Sequence, residues 1–151
     1  MVGYARQRRA VRVILALLLG SLLLPKPACA QLQKSESHLT LRAIMQELGV
    51  EHVRLTNALL TEDFETIAEA AKAIEGHPLP DDIVAAIKAR LGSNFSGFER
   101  ADLQSHQAAA VLARRATAKD ITGSATAFGR LTQSCVSCHK QFRGALRSLS
   151  D

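Results

Sequence analysis

Cysteine is scarce in this chain of 151 residues: three in all, Cys29, Cys135 and Cys138. No second paired Cys or His group accompanies Cys135 and Cys138, which argues against a structural zinc site with its four ligands. No strand-like alternation precedes Cys135, so the strand-to-helix setting of a thioredoxin-type redox dithiol is missing as well. Turn formers are few, with nine Gly and four Pro. There is no hairpin signature and no β-branched run, and a sheet protein is excluded on that ground. The continuous apolar run inside Val13–Leu24 is about a dozen residues long, too short to span a bilayer comfortably, so no stable membrane anchor is expected. The carboxylates, notably Glu47, Glu51 and those from Glu62 to Glu75, are spread as a solvated face rather than paired for acid/base work. Hydrolytic catalysis therefore finds no support, and the chain does not read as an enzyme.

Acidic residues are also absent from positions 1–30, and what stands there is a tripartite export signal. Arg6, Arg8, Arg9 and Arg12 form the positive part, Val13–Leu24 the apolar part, and Ala28-Cys29-Ala30 the small-residue cleavage region. Cleavage is expected after Ala30, leaving a domain over residues 31–151. The pair Arg8-Arg9 is followed by residues that fit a twin-arginine signal poorly, and Lys26-Pro27-Ala28 before Cys29 lacks the aliphatic residue of a lipoprotein signal. A soluble, exported and so periplasmic protein is the expectation. Removing the signal leaves 14 of the 19 basic residues against all 14 acidic ones. The high isoelectric point is thus largely the signal's, and no nucleic-acid partner is expected.

What remains is Cys135-Val136-Ser137-Cys138-His139, the signature by which c-type haem is attached. Two thiols at this spacing can add to the haem vinyl groups as thioethers, and the adjacent imidazole can bind iron. On a helix, positions i, i+3 and i+4 share a face, so Cys135, Cys138 and His139 can converge on one porphyrin edge. With Cys29 removed these are the only two thiols left, and an oxidising compartment poses no pairing problem if both carry haem.

The rest of the chain predicts helices. The first runs from about Glu36 to Leu60, with Leu41, Met45, Leu48, His52, Leu55 and Leu59 forming a heptad seam. Thr61 is the expected N-cap of a second helix, with Glu62, Asp63 and Glu65 in its first turn and Phe64, Ile67, Ala71 and Ile74 along its buried stripe. Gly76-His77-Pro78-Leu79-Pro80 ends it. A short helix over Asp81–Leu91 follows, then a break at Gly92-Ser93-Asn94, a long helix from Phe95 to Ala118, and a last helix capped by Asp120. Phe128, Leu131, Cys135, Cys138, Phe142, Ala145 and Leu149 form the last seam. The fold class is all-α: an antiparallel four-helix bundle with a short extra helix between helices two and three.

A Cys-x-x-Cys-His on the fourth helix, followed by Lys140-Gln141-Phe142-Arg143, resembles the cytochrome c-prime family and its low-spin relatives. Ordinary small cytochromes c carry that motif near the N-terminus. The resemblance implies one covalent haem c, with Cys135 and Cys138 as attachment points and His139 as the proximal iron ligand. It implies that Arg143, one turn beyond, either neutralises charge near the haem or tunes the iron-bound imidazole. It also implies that the residue facing the distal side comes from the first helix, where Met45 is the candidate sixth ligand, against the alternative that Met45 merely fills the core. His52, His106, His77 and His38 compete for that position less well.

The function these readings imply is one-electron transfer by a periplasmic monohaem cytochrome working with redox partner proteins. The alternatives are a five-coordinate protein that binds a diatomic gas such as NO or CO, and a haem subunit of a larger oxidoreductase. Relatives often pair as homodimers through helices one and two.

Overall fold

The computed structural model describes residues 40–149, which belong to one compact unit over 38–151. The export signal expected over 1–30 and His38 lie outside the described residues. Five α-helices follow in order: α1 Leu41–Leu60, α2 Phe64–Glu75, α3 Asp81–Leu91, α4 Phe95–Thr117 and α5 Ile121–Leu146. Short 3-10 turns over Gly92–Asn94 and Arg147–Leu149 precede α4 and follow α5, and no strand occurs among the described residues. The four long helices and the short α3 between the second and third of them match the expected bundle.

Local chemistry explains the helix ends. Thr40 caps α1, its hydroxyl accepting from the backbone of Ala43 at 3.1 Å. The expected cap of α2 is displaced: Thr61 closes α1, and Asp63 accepts from the backbone of Thr66 at 3.1 Å. The reason is Glu62, which turns left-handed at φ 54° and so cannot belong to a helix. Gly92, at the same φ of 54°, is the residue that lets the chain turn from α3 into α4.

Asp120 caps α5, accepting from the backbone of Gly123 at 2.8 Å and pairing with Arg115 at 3.1 Å. A Cβ on Gly123 would lie 2.1 Å from that same carboxylate. Gly123→Ala should therefore destabilise the protein by about 0.5–2 kcal/mol, as loss of a cap does, although alanine is the better helix former. Asp120→Ala should cost the same, and the double variant no more than either, as read from urea unfolding midpoints.

α4 packs along both α2 and α5, and α1 packs along α2, with far less contact between α1 and α5. The short turns between α1 and α2 and between α4 and α5 make the members of each of these two pairs antiparallel. The core divides into two clusters. One holds Leu55, Ile67, Ala71, Leu112, Ala116 and Leu131. The other holds Leu41, Ile44, Ile87, Phe98, Phe142 and Leu146, from the opposite ends of α1, α4 and α5 together with α3. Phe98 meets Phe142 edge to face at 5.7 Å, and Arg90 of α3 donates to the carbonyl of Ala145 at 2.9 Å, holding α3 against the end of α5.

The last seam departs from its heptad reading at one end. Ala145 is exposed and Leu146 is buried instead. A straight helix repeats every 3.6 residues, so a strict seven-residue pattern drifts off the buried face over several turns.

Candidate haem attachment site

Cys135 and Cys138 lie one turn apart on α5, both half-buried, where the two clusters meet. Cys135 packs against the first cluster and Cys138 against the second, and Leu48 of α1 packs against both. Met45, one turn before Leu48, is half-buried and packs against the same cluster as Cys138. The thiols and Met45 are thus drawn to one stretch of the bundle from α5 and α1, two long helices that touch each other far less than α4 touches α5. His139 and Arg143 are exposed on α5.

Burial pushes the Cys135 thiol up, against hydrogen bonds with Ser134 and Ser105 that favour the thiolate. Cys138 is pushed up to about 11, first by burial, then by the negative charge of Asp102 on α4. Reactive dithiols sit in electropositive surroundings that lower the thiol pKa. The environment here does the opposite, and it suits sulfurs that are to carry an apolar group rather than cycle as thiolates.

The histidines fall into two places. His52, on the α1 seam, meets the Thr132 hydroxyl at 2.8 Å and packs on the Phe128 ring at 4.6 Å. Burial lowers its pKa below the ordinary 6.5. The folded protein therefore binds fewer protons at this ring than the unfolded chain does just below pH 6.5, and stability should fall as pH drops through that window. The urea midpoint should decline less between pH 6.5 and 5.5 in His52→Gln than in the parent protein. His77 and His106 stand together elsewhere, their rings stacked at 4.6 Å. Sequence reasoning treated these two separately, because one sits in a turn and the other in the middle of α4.

The geometry is that of a helical bundle with a late Cys-x-x-Cys-His on its last long helix. A family model described as Cytochrome C' matches the chain over residues 62–143, more than half its length. The chain belongs to the cytochrome c' family. Comparison with curated proteins and with solved structures returned no match.

Membership in this family implies a covalently bound haem c. The residues present fit that group. Two half-buried sulfurs share one face of α5 at a junction of two apolar clusters, which is what a flat apolar cofactor attached by two thioethers requires. His139 follows the second sulfur directly, where an iron ligand of this family is expected. The matched span contains both cysteines, His139 and, as its last residue, Arg143; Met45 precedes it. No helix among the described residues is long and apolar enough to cross a membrane.

Proposed function

We propose that the protein is an exported, periplasmic monohaem cytochrome that carries single electrons between redox partner proteins. The observation that carries this reading is that Met45 of α1 and Cys138 of α5 pack against the same apolar cluster. When bound, the haem supplies an iron that cycles between ferrous and ferric states. The protein's part is to hold it. Cys135 and Cys138 would hold it covalently, through thioether bonds to its two vinyl groups. His139 and Met45 would be the residues that hold its iron, and a Met thioether would favour low-spin iron and a raised reduction potential. Arg143 places a cation one turn beyond His139, where it would tune the electrostatics around that imidazole once the group is bound.

Electron transfer asks for no acid/base group at the site, and none is assigned; the protein acts as a carrier rather than an enzyme. Val50 and Val53, exposed on α1, are apolar side chains that a homodimer formed through this helix would cover.

The visible spectrum of the purified haem-loaded protein tests the distal assignment. Low-spin six-coordinate iron is expected, and Met45→Ala should convert it to high-spin iron and lower the reduction potential. A spectrum that remains low-spin after this substitution removes Met45 as a ligand. High-spin iron in the unsubstituted protein favours instead an open distal site that takes NO or CO.

A further inference from the structure

His77, in the turn after α2, and Asp102 and His106, one turn apart on α4, form a cluster that electron transfer does not use. A ring nitrogen of each histidine and a carboxylate oxygen of Asp102 all lie within 4.8 Å of one another, and all three residues are half-buried. Hydrogen bonds fix which nitrogens face the cluster. His77 Nδ1 meets the Ile74 carbonyl at 2.8 Å, and His106 Nδ1 meets the Glu75 carbonyl. A carbonyl only accepts, so each Nδ1 carries a hydrogen, and in the neutral rings each Nε2 presents a lone pair. This is the arrangement in which metal-binding histidines are commonly held, the second ring nitrogen donating to a backbone carbonyl and so setting tautomer and orientation.

That arrangement leaves an imbalance. His106 Nε2 faces Asp102 Oδ2 at 3.4 Å, so a lone pair points at a carboxylate unless something positive stands between them. A proton on His106 would satisfy that pair alone. It would leave His77 Nε2, for which the structure records no hydrogen-bond partner among the described residues. A divalent cation answers all three groups at once.

We propose that His77, Asp102 and His106 form a binding site for a divalent transition-metal ion of the zinc type, separate from the haem iron. Two imidazoles and one carboxylate are a donor set that zinc accepts in tetrahedral geometry, with water as the fourth ligand, and the partial exposure of the site admits that water. Tetrahedral coordination brings ligand nitrogens to about 3.3 Å from one another, so the site contracts on binding and the two rings turn out of their parallel stack. His77 is on a turn, where such a rotation disturbs no helix.

The test is calorimetric titration of the haem-loaded protein with zinc chloride, with metal content measured after dialysis. One zinc per chain is expected, together with a rise in unfolding temperature on adding the metal. His77→Ala should weaken binding by about tenfold or more, and Asp102→Asn, which keeps size and polarity, should weaken it as well. Circular dichroism of each variant verifies that the bundle is intact, and His77→Ala, lying outside the helices, keeps the test decisive if an α4 variant misfolds. No stoichiometric zinc binding, or equal affinity in His77→Ala and the parent, overturns the proposal and leaves Asp102 and His106 as a simple ion pair. Neither readout depends on how the haem iron is ligated.

Discussion

Replacing both Cys135 and Cys138 by serine should abolish covalent haem, so that all pigment in the purified double variant is extracted by acidified acetone while the parent protein keeps its colour. Serine nearly matches cysteine in size, and both positions are only half-buried, so the helix itself tolerates the exchange. What is lost is the chemistry: a hydroxyl does not add to a vinyl group as a thiol does. The two positions should also differ when changed singly. Cys135 packs with the Leu55–Leu131 cluster and Cys138 with the Ile44–Phe142 cluster, so each single variant keeps a thioether on one side of the junction and frees the other. Single variants should therefore retain covalent haem with altered spectra. Haem that stays covalently bound in the double variant would contradict the attachment through these sulfurs and with it the role given to α5.

The motif that carries this prediction was legible in the sequence because it is local. Cys135, Cys138 and His139 lie within five residues, and helical geometry alone sets their relation. The bundle was legible for a similar reason, since the seams of α1 and α5 repeat over many turns. Errors arose where a single backbone angle decides. Thr61 and Asp63 are both good caps, and only the left-handed turn at Glu62 hands the role to Asp63. Ala145 was placed in the core by extending a heptad count beyond the point where a straight helix follows it. The stack of His77 on His106 could not be read at all, because it depends on how the turn after α2 docks on the middle of α4, across 29 positions of sequence. The same holds for Asp102, whose influence on Cys138 crosses from α4 to α5. Long-range juxtapositions of polar side chains leave no periodic trace, whereas apolar seams do.

Leu131→Ala should be among the most destabilising single substitutions in the bundle, costing about 2–5 kcal/mol. Leu131 is one turn before Cys135 on α5 and is fully buried in the first cluster, with Leu55 from α1, Ile67 from α2 and Leu112 from α4. All four long helices thus contribute to the cluster that closes over this side chain. The substitution removes the apolar area that Leu131 buries and leaves a cavity that four rigid helices cannot readily collapse to fill. A domain of this size holds about 5–15 kcal/mol in total, so the loss is a large fraction of its stability. Val136→Ala gives the contrast within the same helix. Val136 is 54% exposed, and its truncation should change stability by less than about 0.5 kcal/mol. Urea unfolding of the two variants beside the parent distinguishes these outcomes. Equal midpoints for Leu131→Ala and Val136→Ala would mean that α5 does not present its Leu131 face to the other three helices, and the placement of Cys135 one turn further along that face would fall with it.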